Sequence, residues 1–112
     1  MPSLAAIRQE RREGRLSLLR QGAAAVVAKH PNGQVWLFGS LARGNWDAYS
    51  DVDLLAIAPD KGEAIELADA LLDAHLGDDV LPLTLERWQR LACTDEPYWR
   101  DIRREAIRLD AP

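Results

Sequence analysis

Cysteine is nearly absent from the sequence, since Cys93 is the only one among its 112 residues. A single thiol excludes an intrachain disulfide and a zinc site built from several cysteines. We therefore interpret Cys93 as a core or interface thiol in a reducing compartment. The chain also lacks an apolar signal segment, and no stretch has the uninterrupted apolar length of a membrane span. Together these absences predict a cytoplasmic protein that does not enter a membrane.

The sequence also has no excess of positive charge, because its 14 Lys and Arg residues are outnumbered by 18 Asp and Glu residues, for a formal net charge of −4. Without a surplus of cations the chain is not expected to bind nucleic acid in general. The acidic residues collect between Asp47 and Asp79, and arginine is dense in both terminal segments. This asymmetry indicates a carboxylate site between two arginine-rich helices.

The length fits a single domain that covers residues 1–112. Helix and strand patterns alternate along it, which predicts an α/β (α+β) fold in two layers, with a small mixed sheet of three to four strands flanked by helices. The predicted strands cover residues 34–38, 51–58 and 80–83. The predicted helices cover about residues 3–29, 63–75, 84–91 and 97–108, with Ile65, Leu67, Ala68, Leu71 and Leu72 on the inner face of the second one.

Two carboxylates stand two positions apart at the start of the second predicted strand. Side chains alternate faces along a strand, so Asp51 and Asp53 are expected on one face while Val52 points to the other. Adjacent carboxylates repel each other unless a cation lies between them. Their oxygen atoms, without nearby Cys or His, form the donor set of Mg²⁺ or Mn²⁺ rather than of zinc.

A glycine and a serine follow directly after the first predicted strand. Gly39 lets the backbone approach a ligand closely, Ser40 adds a hydroxyl, and Arg43 could contribute a guanidinium to a phosphate. Taken singly, a Gly-Ser pair is usually a turn, an Asp-x-Asp is usually a solvated strand end, and an arginine is usually a surface residue. In this order they predict an anion cradle beside a divalent-metal site, as phosphoryl or nucleotidyl transfer requires.

The segments Leu37-Phe38-Gly39-Ser40-Leu41-Ala42-Arg43-Gly44 and Ser50-Asp51-Val52-Asp53-Leu54-Leu55 resemble the signature of the DNA polymerase beta-type nucleotidyltransferase superfamily. They are most similar to its stand-alone minimal nucleotidyltransferases (MNT). The resemblance implies that Gly39 and Ser40 hold a triphosphate and that Asp51 and Asp53 hold two Mg²⁺ ions, with Mn²⁺ as an alternative.

The same resemblance implies a third carboxylate on a later strand, which completes the metal site and helps to activate the attacking hydroxyl. Asp79, just before an apolar strand, is our choice for this metal-binding and catalytic residue, and Asp78 and Glu66 remain alternatives. Gly77-Asp78-Asp79 could also be a simple turn. In the loop between cradle and metal site, Trp46 and Tyr49 could stack on a base or serve as loop packing.

The resemblance further implies that AMP is transferred from ATP to a hydroxyl. Similar stand-alone proteins are antitoxins that attach AMP to a tyrosine of a HEPN-family toxin, so protein AMPylation in a type VII toxin–antitoxin pair is the sharper hypothesis. One alternative is a non-catalytic antitoxin that neutralises its partner by binding. Another is an adenylyltransferase acting on a small molecule. The sequence specifies neither the acceptor nor the oligomeric state.

Overall fold

The computed structural model describes residues 3–44 and 51–111. Four strands and five α-helices alternate within these ranges, with a single 3₁₀ turn at Leu91–Cys93. The strands are β1 (Gln34–Phe38), β2 (Asp53–Ala58), β3 (Asp79–Thr84) and β4 (Ile107–Arg108). The helices are α1 (Leu4–Val27), α2 (Ser40–Arg43), α3 (Lys61–Asp73), α4 (Leu85–Arg90) and α5 (Pro97–Glu105).

Side-chain caps explain where three of the helices begin. Ser3 accepts a hydrogen bond from the Ala6 backbone N–H at the start of α1. Asp60 does the same for α3, and Thr84 does so for α4. Each cap satisfies a backbone donor that the first turn of a helix otherwise leaves without a partner.

The strands form one mixed sheet in the order β3-β2-β1-β4. The pairs β1–β2 and β1–β4 are antiparallel, and β2–β3 is parallel. Helix α3 supplies the crossover between the two parallel strands, as a parallel connection requires. The predicted class, a small mixed sheet with flanking helices, is confirmed.

Helices cover both faces of the sheet because its central strands are apolar on both sides. Alternate residues of β1 divide between two core clusters: Val35 and Leu37 join the first, while Phe38 joins the second. The first cluster lies under α1 and α3, and the second contains Trp88 of α4 and Ile102 of α5. Of the described residues, no polar or charged one is fully buried. No helix in these ranges combines the length and apolar character needed to cross a membrane.

The last predicted helix is wrong in its extent. It was expected to continue to about Arg108, but α5 ends at Glu105 and the chain then adds β4 to the free edge of β1. Leu109 N–H donates to the Val35 carbonyl at 2.8 Å, and Val35 N–H donates to Asp110 Oδ1 at 2.9 Å. These partners come from a segment distant in sequence, so local helix propensity did not reveal them.

Three further predictions also need correction. Ile65 and Leu72 were expected to face inward, but they are exposed because the buried stripe of α3 is instead Ala64, Leu67, Ala68 and Leu71. Cys93 was expected in the core or an interface; it is exposed in the chain, which excludes the core, and the interface alternative stays a prediction. The second strand begins at Asp53, so Asp51 precedes it rather than belonging to it. The predictions for Trp46 and Tyr49 lie outside the described residues.

Candidate active site at the ends of β1 and β2

The chain turns sharply where β1 ends, and only glycine fits the first position of this turn. Gly39 has φ +82° and ψ −160°, a combination that is essentially restricted to glycine. A Cβ atom added to Gly39 would also overlap the Asp53 carboxylate oxygen Oδ2. The backbone of the first motif therefore lies directly against the carboxylate of the second. The sequence predicts a glycine here because a ligand must approach the backbone closely. The structure shows that the Asp53 carboxylate also approaches the backbone at this glycine.

Helix α2 starts at Ser40 and is held in place by a residue of α1. The Arg12 guanidinium donates from Nε to the Leu41 carbonyl at 3.0 Å and from Nη2 to the Ala42 carbonyl at 3.1 Å. These carbonyls face out of a helix too short to satisfy them itself. Arg12 thus fixes the position of the Gly39-Ser40 turn from outside, a role that sequence reasoning did not find.

Asp53 is the first residue of β2, where it lies opposite Phe38 of β1 and Asp79 of β3. Val52 is buried in the core cluster under α1 and α3, whereas Asp51 and Asp53 on either side of it both line one cleft beside α5. Asp51 is exposed and Asp53 is half-buried. The expected orientation of the pair is therefore retained although Asp51 precedes the strand.

The Asp53 carboxyl has a raised pKa. Burial is the largest cause, and the negative charge of Asp79 is the next. Asp51 and Asp78 raise this pKa further, while Arg43 lowers it. Repulsion among carboxylates at one end of the sheet makes this location favourable for a cation.

The three candidates for the third carboxylate lie in different places. Asp79 is directly opposite Asp53 on the parallel strand and is exposed. Asp78 Oδ2 accepts a hydrogen bond from the Val52 backbone N–H at 2.7 Å, so this oxygen already holds the chain at the start of β2. Glu66 lines a separate cavity together with Gly33 and Ala58, at the far end of β2. Asp79 is thus the candidate that pairs with Asp53 in the sheet, and its role as the third carboxylate stays a prediction.

An open cleft of about 560 Å³ brings most of the predicted residues together. Its volume falls within the range of about 300–1,000 Å³ that is common for ligand pockets. Five predicted residues line it, namely Gly39, Ser40, Arg43, Asp51 and Asp53, and Asp79 is next to it rather than among them. Phe38 and Ile102 provide apolar wall.

Helix α5 forms the other wall of the cleft, with three residues that sequence reasoning missed. Tyr98, Asp101 and Glu105 face the cleft together with Ile102. Their spacing of three, four and seven positions places them on one face of a helix, and this periodicity was the available signal. Nothing in the sequence connected this face to the motifs on β1 and β2, because the contact is purely tertiary.

Arg43 also reaches the cleft, but its described partner is a carboxylate of α5. Its Nη1 atom lies 3.7 Å from Glu105 Oε2. The Arg43 side chain is 43% exposed, so solvent weakens this pair and leaves the guanidinium accessible to a ligand. Its positive charge acts on Asp53, because it offsets part of the increase in the pKa of that carboxyl.

Comparison of the sequence with known protein families gives a match that includes the residues of this cleft on β1 and β2. Residues 19–102 match the family model of the nucleotidyltransferase domain, which is more than half of the chain. The chain belongs to this family. No match was found among curated proteins or among solved structures. Family membership implies a nucleotide substrate and nucleotidyl transfer, and the matched range contains every residue predicted for the site.

The donor set of this nucleotidyltransferase domain suits a hard divalent cation. Asp51 and Asp53 offer carboxylate oxygens on one face, and the raised pKa of Asp53 marks a charge that a cation would compensate. Within residues 3–44 and 51–111, no three His, Cys, Asp or Glu side chains are already grouped as a metal site. Ligand atoms from phosphate and water would therefore have to complete the coordination.

Proposed function

We propose that this domain transfers AMP from ATP to a hydroxyl group, with two Mg²⁺ ions held by Asp51, Asp53 and Asp79. The observation that carries the proposal is the contact between the two motifs, since Gly39 leaves no room for a side chain next to Asp53. A phosphate lying on the Gly39-Ser40 backbone would therefore be adjacent to the carboxylates. The cleft between these residues and α5 offers the space for the rest of the nucleotide.

The proposed reaction forms one bond and breaks another at the α-phosphorus. The acceptor oxygen bonds to phosphorus, the bond to the bridging oxygen breaks, and pyrophosphate leaves. Asp79 accepts the proton of the acceptor hydroxyl, while Ser40 and the Gly39 backbone bind the leaving phosphates. Bound Mg²⁺ would supply neutralisation of the charge on the phosphate oxygens. Arg43 contributes a further positive charge once phosphate competes with Glu105 for it.

The sharper form of the proposal concerns the acceptor. We infer that it is a protein tyrosine, specifically in a HEPN-family toxin that this domain would neutralise as an antitoxin. Support comes from the similarity of the two motifs to the minimal nucleotidyltransferases. The open cleft is compatible with a macromolecular acceptor, because its second wall in this chain is the single helix α5.

Transfer of label from α-labelled ATP in the presence of Mg²⁺ tests the proposal. The acceptors to be compared are a HEPN-family toxin protein and, in parallel, aminoglycosides as small-molecule acceptors. We expect labelling of the partner by the wild type and none by Asp53→Asn, which removes charge without changing volume. Asp69→Asn, on the exposed surface of α3, is the matched control.

Three outcomes would contradict the proposal. Labelling by folded Asp53→Asn at the wild-type rate would reject the metal assignment. Full protection of cells by an Asp53→Asn/Asp79→Asn double variant would support a binding-only antitoxin instead. Labelling of an aminoglycoside rather than the partner would identify a small-molecule adenylyltransferase.

A further inference from the structure

A second concave surface lies on the other side of α5. It has a volume of about 350 Å³ and is lined by Trp36, Leu91, Ala92, Arg100, Arg103 and Arg104, which we call the arginine groove. Three of its six residues are arginines of one helix, and none of the lining residues carries a carboxylate. In a chain with a net charge of −4, this local concentration of positive charge requires an explanation.

Two of the three guanidinium groups lack an acidic partner. In the described part of the chain, neither Arg100 nor Arg103 forms an ion pair, whereas Arg104 pairs with Asp101 at 3.0 Å and with Glu105 at 3.6 Å. The Arg103 guanidinium lies 4.1 Å from the centre of the Trp88 ring, and this cation–π contact fixes its position. A guanidinium that is already held in place loses little conformational entropy when a ligand binds.

The floor of the groove is apolar. Leu91 and Trp36 are half-buried there, and Ala92 is exposed. An apolar floor with an arginine rim matches a short peptide that carries an apolar anchor between carboxylates, since the planar guanidinium binds carboxylates through two parallel hydrogen bonds. Nucleic acid fits less well: from Arg100 to Arg104 the helix rises only about 6 Å, so few phosphates would be contacted and affinity depends on their number.

Helix α5 therefore separates two different surfaces. One face, with Asp101 and Glu105, forms a wall of the nucleotidyl-transfer cleft, and the next face, with Arg100 and Arg103, forms the arginine groove. A polypeptide held in the groove would lie one helix width, about 10 Å, from the cleft. We propose that the arginine groove binds an acidic segment of the protein acceptor and presents that protein to the cleft. The presenting role rests on the proposed function, whereas peptide binding by itself does not.

Fluorescence anisotropy with a labelled Glu-Glu-Leu-Glu-Glu peptide tests the groove directly. We expect saturable binding by the wild type and binding weaker by about tenfold in Arg100→Glu. Arg100→Gln, which removes the charge without reversing it, should show a smaller loss. Arg20→Glu is the matched control, because it makes the same charge change at an exposed position of α1, on the opposite face of the sheet. It should bind within about twofold of the wild type.

The groove proposal would be overturned by the absence of saturable peptide binding by the wild type, or by equal weakening in Arg100→Glu and Arg20→Glu. Tighter binding of a labelled single-stranded oligonucleotide of equal charge would also overturn it, in favour of a nucleic-acid site. Calorimetric titration with Mg-ATP separates this proposal from the proposed function. Wild-type protein that binds Mg-ATP but not the peptide rejects the groove alone, and protein that binds the peptide but not Mg-ATP rejects the proposed function and the presenting role.

Discussion

At the scale of single residues, Gly39 connects the two motifs of the site, and its identity is decided by conformation and space together. Its backbone conformation is close to glycine-only, and the Asp53 carboxylate occupies the volume of a Cβ atom. The consequence is that Gly39→Ala should have two effects, on stability and on nucleotide binding. Gly44 permits these effects to be separated, because it also has a positive φ, +84°, but among the described residues no atom beyond its immediate chain neighbours lies within 4 Å of its Cβ position.

We expect Gly39→Ala to lower the free energy of unfolding by about 1–3 kcal/mol and to weaken Mg-ATP binding by displacing Asp53. Gly44→Ala should cost about 1 kcal/mol through its backbone conformation alone and leave Mg-ATP affinity unchanged. Urea unfolding and calorimetric titration of both variants provide the comparison. Equal effects of the two substitutions on Mg-ATP affinity would show that the approach of Gly39 to Asp53 is irrelevant to binding.

The raised pKa of Asp53 makes stability depend on pH in a definite direction. The folded protein holds the Asp53 proton more tightly than the unfolded chain does, so ionisation of Asp53 favours unfolding. The contribution of protonated Asp53 to the free energy of unfolding is fully present below the ordinary aspartate pKa. It is lost as the pH rises through the raised pKa of the folded protein. In EDTA at neutral pH, Asp53→Asn should therefore have a higher free energy of unfolding than the wild type.

The difference between Asp53→Asn and wild type should grow as the pH rises through this window, in urea unfolding measured with EDTA at several pH values. Asp69→Asn removes the same charge from the surface of α3 and should not reproduce the trend. A folded Asp53→Asn protein that is less stable than the wild type at neutral pH in EDTA would reject carboxylate repulsion at the site.

At the scale of secondary-structure elements, the parts of the fold that were predicted correctly have local signals. Strand β1 is apolar and bounded by Asn-Gly and Gly-Ser, and its observed range matches the predicted one. Strand β4 has only two residues and depends on the edge of β1, so no local pattern could indicate it. The motifs on β1 and β2 carry local signals and were therefore predicted to meet. The cleft wall from α5 depends on tertiary contacts, as β4 does, and was not predicted.

Strand β4 is held to β1 by Asp110, whose side chain is only 5% exposed. It accepts a hydrogen bond from the Val35 N–H at 2.9 Å and pairs with Arg108. Asp110→Ala leaves the Val35 donor without its partner, so we expect a loss of about 2 kcal/mol in the free energy of unfolding. Chemical denaturation measures it, with Asp95→Ala as an exposed control. A loss no larger than that of the control would mean that β4 contributes little to the stability of the sheet.

At the scale of the whole molecule, the charges are arranged so that the folded chain should be more stable with bound ligands than without them. Carboxylates meet at one end of the sheet although the chain has excess negative charge, and three arginines of α5 gather in the arginine groove. Such an arrangement costs stability and is favourable only if ligands compensate it. Anything that binds the folded state alone raises the free energy of unfolding, by about 2.7 kcal/mol at a concentration one hundred times its dissociation constant.

The order of stability should consequently reverse when the ligands are added. In EDTA the Asp53→Asn protein should melt at a higher temperature than the wild type, because the variant no longer buries a charge and repulsion with Asp79 and Asp51 is relieved. In Mg-ATP the wild type should melt higher, because the variant has lost a metal ligand and gains less from binding. Asp79→Asn should behave in the same way if Asp79 is the third ligand, and Asp69→Asn should shift equally with the wild type. If Mg-ATP raises the melting temperatures of Asp79→Asn and wild type equally, Asp79 is not a metal ligand, while Asp53 remains one. If all four proteins shift equally, neither Asp53 nor Asp79 is a metal ligand.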